Sequence, residues 1–129
     1  MKHGFVKVAA ASPELRVADP RYNAQKIIEV IEKQAKKGTE ILVFPELCLS
    51  GYTCGDLFLQ KTLLDGCLEA LDSIASATKE KTMLVFVGLP FAATGGKLYN
   101  CAAAVCGGEV KGLVPKAHLP NYGEFYEKR

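Results

Sequence analysis

No stretch of this 129-residue chain approaches the ~20 consecutive apolar residues that cross a bilayer, so nothing in it reads as a membrane span. Charge of one sign is equally scarce. Sixteen basic residues face fourteen acidic ones, and they are scattered, which leaves no electrostatic footprint for a nucleic acid or a membrane surface. The only histidines are His3 and His118, and no Cys-x-x-Cys occurs. Without close ligand pairs a structural zinc site is not expected. The cysteines, Cys48, Cys54, Cys67, Cys101 and Cys106, are odd in number, which argues against a disulfide framework and fits a cytoplasmic setting. The N-terminus starts basic, but Lys7 interrupts a very short apolar core, so it reads as a strand and not as a signal peptide. Internal repeats, linkers and low-complexity segments are lacking. So are the common chemical signatures. There is no G-x-G-x-x-G, Gly95-Gly96-Lys97-Leu98 lacks the first glycine and the Ser/Thr of a phosphate loop, and no Ser-His-Asp pattern of standard form is visible.

What remains is 49% hydrophobic and 23% charged, the balance of one soluble globular unit. Residues 5–12 read as a first strand ended by Pro13. Asp19 is a good N-cap with Pro20 at the first helical position. Ala24, Ile27, Ile28, Ile31 and Ala35 then recur at helical spacing. Glu29 with Lys33, and Glu32 with Lys36, have the acid-before-base spacing of outward pairs, and Gly38 suits the residue after the helix. Residues 41–44 form a second strand, apolar throughout. A second helix is expected over residues 57–78, although Gly66 lowers its propensity. A third strand over residues 83–89 should stop at Pro90. Residues 98–106 and 109–114 form a hairpin about Gly107-Gly108. Residues 121–129 show no closing element.

The order β-α-β-α-β followed by a hairpin predicts an α/β layered fold. Nearly continuous apolar strands need cover on both faces, and two helices cover only one. Something else, such as a second sheet, must cover the other. Left exposed, that face and its edges favour self-association, so a homo-oligomer is expected.

Two strand ends match. The second strand runs into Phe44-Pro45-Glu46 and the fifth into Val114-Pro115-Lys116, each placing one ionisable residue just past a proline. Sites in α/β sheets gather at strand ends. A carboxylate there is costly unless it is paired. Beside an ammonium it could act as a base, with the cation stabilising an oxyanion and a cysteine as the obvious nucleophile type. A structural ion pair, or two unrelated surface residues, has the same spacing.

The resemblance of these segments narrows the choice. Phe44-Pro45-Glu46-Leu47 with a later Lys116 resembles the nitrilase, or carbon–nitrogen hydrolase, superfamily, whose site is a Glu-Lys-Cys triad on a four-layer α-β-β-α sandwich. The longer block through Cys48-Leu49-Ser50-Gly51-Tyr52-Thr53-Cys54-Gly55-Asp56-Leu57-Phe58 resembles the glutaminase domain of glutamine-dependent NAD synthetases. So does Pro115-Lys116-x-x-Leu119-Pro120-Asn121-Tyr122-x-Glu124-Phe125-Tyr126-Glu127. The resemblance implies that residues 1–129 are an N-terminal portion of such a glutaminase domain. It implies Glu46 as general base, Lys116 as stabiliser of the tetrahedral intermediate, and Glu124 as a second glutamate beside the triad. Tyr122 and Tyr52 match tyrosines near the glutamine pocket. It further implies glutamine as substrate with no cofactor for its hydrolysis. ATP, magnesium and deamido-NAD are needed only by a synthetase domain lying outside this chain. The family's nucleophile lies well beyond the lysine, whereas all five cysteines here precede Lys116, so the chain alone is expected to be inactive. A stand-alone amidase or carbamoylase of the superfamily, and a non-catalytic assembly fragment, are the competing readings.

Overall fold

The computed structural model describes residues 4–119 and, beyond them, the backbone of Asn121–Tyr122 and Phe125–Tyr126. Five strands form one sheet in sequence order: β1 (Val8–Ala10), β2 (Ile41–Val43), β3 (Leu84–Ala92), β4 (Leu98–Cys106) and β5 (Glu109–Pro115). β1, β2 and β3 run parallel, joined by two crossovers that carry α1 (Pro20–Lys36) and α2 (Lys61–Ala77). β3, β4 and β5 are antiparallel, with an irregularity in β4 between Ala104 and Val105.

The start of α1 follows its sequence signals. The Asp19 side chain accepts from the Tyr22 N–H at 3.1 Å, and Pro20 occupies the first turn, where its missing N–H costs nothing. Ala24, Ile27 and Ile31 are buried. They meet one face of the sheet together with Leu63, Leu71 and Ile74 of α2, over Leu42, Val85, Val87, Leu89, Ala103 and Val105. Each of these large side chains contributes about 1.5–3 kcal/mol on burial. The opposite face behaves as the two-helix count requires. Val8, Val43 and Val114 are 63%, 42% and 63% exposed, so an apolar sheet face stands without cover among the described residues. At the β4–β5 hairpin, Gly107 and Gly108 both have positive φ (60° and 88°), which a two-residue primed turn requires.

Several boundaries differ from those expected. β1 is shorter than residues 5–12. The second helix is broken: a 3₁₀ turn, Gly55–Leu59, precedes α2, and Gln60 between them is extended. Gly66 sits inside α2 where Pro20 comes close, with Pro20 Cγ 3.3 Å from the point a Cβ would occupy, so here the small side chain serves helix contact. β3 runs through Pro90 to Ala92. The reason is directional. Gly88 turns its N–H and C=O toward the β2 side, and Pro90, two residues on, turns its nitrogen the same way. β2 pairs β3 only as far as Phe86, so the missing N–H leaves no ladder bond unmade. Glu32 pairs with Lys81 at 3.0 Å instead of Lys36, and Glu29 lies 3.9 Å from Lys26. Near the C-terminus, where no element was expected, β6 (Asn121–Tyr122) and β7 (Phe125–Tyr126) pair antiparallel. Among the described residues no helix is long and apolar enough to cross a membrane.

Candidate active site

Glu46 stands in a tight loop between β2 and the 3₁₀ turn. The Phe44 N–H bonds the Phe86 carbonyl at 3.0 Å, and the Leu49 N–H bonds the Gly88 carbonyl at 3.0 Å, so the loop is tied to β3 on both sides of Glu46. Between these ties the chain turns sharply. Leu47 has φ +53°, a left-handed conformation that a leucine adopts at a cost, and its carbonyl accepts from the Ser50 and Gly51 N–H groups at 3.2 and 2.7 Å. The Leu47 side chain is buried, and that burial holds the strained residue in place. Buried Asn23 of α1 anchors the loop from behind, donating through Nδ2 to the Leu49 carbonyl at 3.0 Å and the Arg16 carbonyl at 2.8 Å. Its Oδ1 accepts from the Arg16 N–H at 2.7 Å.

Lys116 arrives from β5. Its own N–H bonds the Asn100 carbonyl of β4 at 2.7 Å, and its Nζ reaches Glu46 Oε1 at 2.7 Å. Seventy residues of sequence separate the two, yet the two strand ends bring them into contact. Asn100 completes the group, its Nδ2 donating to the same Oε1 at 2.6 Å. The Glu46 and Lys116 side chains are 42% and 32% exposed, so the pair contributes little to stability and its significance is positional. It lies at one edge of a cavity of about 360 Å³ walled by Val43, Phe86, Ala102 and Val114, on the uncovered sheet face. A larger concavity of about 820 Å³ lies between α1 and α2 and contains neither residue of the pair. The smaller cavity is the one whose apolar walls converge on an acid and a base.

The other expected site residues are placed less completely. Tyr52 is half-buried against the core and is not among the residues lining the Glu46–Lys116 cavity. Tyr122 is on β6, with its side chain outside the description, and Glu124 lies outside the described residues. Asn100 was missed in the sequence, although an amide in the otherwise apolar run of β4 was the available signal.

The cysteines near Glu46 in sequence face inward. Cys48 is fully buried, its Sγ accepting from the Gly88 N–H at 3.3 Å, and burial pushes its pKa up to about 11. Cys67 is pushed up to about 12 by burial, with smaller contributions from Cys54 and Cys48. Burial also raises Cys101. Such thiols remain protonated and shielded near neutral pH. We expect Cys48 and Cys67 in the native chain to resist an aromatic disulfide reagent at pH 8 and to react on unfolding in urea. Both thiols are neutral below the ordinary value of 9.0, whether the chain is folded or not. Above it the unfolded chain ionises first, so native stability should fall from pH 9 through about 11 for Cys48 and about 12 for Cys67. Rapid native labelling of Cys48 would contradict this placement.

Residues 7–129 match the carbon-nitrogen hydrolase family. The chain belongs to that family. Among curated relatives, the glutamine-dependent NAD(+) synthetase of Mycobacterium tuberculosis is 38% identical over 128 residues, 99% of this chain and 19% of the relative. A crystal structure of a glutamine-dependent NAD(+) synthetase from Cytophaga hutchinsonii superposes with TM-score 0.87 at 34% identity, covering 94% of this chain and 20% of that one. The chain thus spans about a fifth of the length of these relatives. A variant of Nesterenkonia AN1 amidase from the nitrilase superfamily superposes with TM-score 0.73 at 22% identity, covering 92% of this chain and 45% of that one. That likeness shows the fold. The helix-covered sheet is part of a nitrilase-type α-β-β-α sandwich.

Proposed function

We propose that this chain supplies two groups of a glutamine-hydrolysing site, within a protein that uses the released ammonia to convert deamido-NAD to NAD. The observation that carries the reading is the 2.7 Å contact between Glu46 and Lys116, made by two strand ends of a carbon-nitrogen hydrolase fold. The relatives' identity of 38% across 99% of the chain favours glutamine over other amides.

The chemistry follows from the two groups. The Glu46 carboxylate takes the proton of a thiol as its sulfur attacks the side-chain amide carbon of glutamine. Negative charge moves to the amide oxygen, and the Lys116 ammonium stabilises it. Collapse of the tetrahedral intermediate breaks the C–N bond, and the proton on Glu46 passes to the departing nitrogen, giving ammonia and a thioester. Glu46 then takes a proton from water as the water oxygen attacks the thioester carbon; the C–S bond breaks, the proton on Glu46 returns to the sulfur, and glutamate is released. None of the five cysteines serves as the thiol in this reading, a view supported by the burial of Cys48, Cys54, Cys67 and Cys101. Glutamine hydrolysis needs no cofactor. ATP and magnesium serve the amidation step, in sequence that this chain does not contain. In this reading the resemblance also assigns Tyr52, Tyr122 and Glu124 to glutamine binding, and the working protein is a cytoplasmic homo-oligomer.

Two measurements test the reading. The purified 129-residue chain should release no ammonia from glutamine above the uncatalysed background. The same chain, put in place of the stretch it matches in the Mycobacterium tuberculosis relative, should retain glutamine-dependent NAD formation. Turnover by the isolated chain would overturn the view of its cysteines. An assembled enzyme that cleaves simple aliphatic amides but not glutamine would favour the amidase alternative.

A further inference from the structure

We propose that Asn100 is a positioning residue that fixes which oxygen of Glu46 acts as the base. This rests on Glu46 being the base of the hydrolysis described above. Asn100 Nδ2 and Lys116 Nζ both donate to Oε1, at 2.6 and 2.7 Å. Among the described residues, Oε2 accepts no hydrogen bond. Donors on a carboxylate oxygen stabilise its negative charge and lower its affinity for a proton. With two donors on Oε1, the proton from the attacking thiol goes to Oε2, and from Oε2 it passes to the leaving nitrogen.

Three features make Asn100 suited to this role. An amide neither gains nor loses a proton in the working pH range, so its grip is unchanged when the carboxylate's charge changes. Its orientation is set chemically: an ionised carboxylate accepts from Nδ2 and repels Oδ1. Finally, the main-chain carbonyl of the same residue accepts the Lys116 N–H at 2.7 Å. One residue of β4 therefore holds Glu46 through its side chain and Lys116 through its backbone. It sets the spacing of two groups that no local sequence links. Asn100 lies opposite Pro90 in the β3–β4 register, just beyond the segment of β3 that supports the Glu46 loop.

The test has two arms. In the 129-residue chain, the side-chain amide protons of Asn100 should be more widely separated by NMR than those of a solvated asparagine. One should be displaced downfield, and Glu46→Gln should alter it. Amide protons at the ordinary positions of a solvated asparagine, unaltered by Glu46→Gln, would overturn the contact. In the assembled enzyme, Asn100→Leu should lower kcat about 10- to 100-fold, the scale of a base displaced by about an ångström. KM for glutamine should stay within about twofold, and the acidic limb of the kcat–pH profile should move to higher pH. Asn100→Asp, which sets a second carboxylate beside Glu46, should move the limb further. If Asn100→Leu leaves both kcat and the profile unchanged while Glu46→Gln is inactive, the positioning role fails and the base reading stands. If Glu46→Gln keeps full activity, it is the base reading that fails. If the assembled enzyme shows no turnover at all, the amide-proton signature decides by itself whether Asn100 holds Glu46.

Discussion

Glu46→Gln, introduced into the enzyme assembled from this chain and its mycobacterial relative, is expected to lower glutamine-dependent kcat by about 10²–10⁴-fold, the contribution of a positioned general base. Glutamine is nearly isosteric with glutamate and can still accept from Lys116 and Asn100 through its carbonyl oxygen. It cannot take a proton. The substitution therefore separates the base from the scaffold. Lys116→Met removes the cation from the same oxygen and should cost about 10²–10³-fold, as expected when one donor to a developing oxyanion is lost. The two losses should not add, because each group acts on a transition state that the other helps to form. Stability should barely change in either variant, since the pair is 42% and 32% exposed and ion pairs of that exposure contribute roughly 0–1 kcal/mol. Activity loss with an unchanged urea midpoint is the expected signature. A Glu46→Gln enzyme within threefold of the parent would rule out the base.

The reach of sequence reasoning can be judged residue by residue. The α1 start was legible because Asp19 and Pro20 act locally, through one side-chain bond and one missing N–H. From spacing alone the pairing of Glu46 with Lys116 was legible only as a coincidence of two proline-ended strands, and the family resemblance was what named them as one site. Spacing of this kind carries no distance, and the sheet register supplies it. Pro90 was misread because a proline blocks a ladder only on the side its nitrogen faces, and facing is a property of the sheet. The uncovered face was legible by counting helices against strands. Asn100, Asn23 and the left-handed Leu47 were not. Asn23 falls inside an amphipathic helix where an exposed amide is the ordinary expectation, and nothing local tells that its side chain closes on Leu49, 26 residues away.

Gly88→Ala shows how much of the site rests on a residue that carries no chemistry. A Cβ at Gly88 would stand 2.3 Å from the Leu47 nitrogen and 3.0 Å from both the Glu46 carbonyl carbon and the Pro45 carbonyl oxygen. All three are backbone atoms, so no rotamer change relieves the clash. The loop must move away from β3. That motion breaks the bond from Leu49 N–H to the Gly88 carbonyl and the contact of Gly88 N–H with Cys48 Sγ. Overpacking a core by one methyl costs about 1–3 kcal/mol when side chains can adjust. Here they cannot, and two bonds of about 1 kcal/mol each are lost as well, so a loss of at least about 3 kcal/mol is expected in urea denaturation. Gly112 provides the control. It lies on β5 of the same sheet, and a Cβ there meets nothing within 4 Å, so Gly112→Ala should change stability by less than about 0.5 kcal/mol. In the assembled enzyme Gly88→Ala should also cost at least about 10²-fold in kcat, because the atoms it displaces carry Glu46. Equal stability of the two alanine variants would show that the Glu46 loop does not rest on β3 at Gly88.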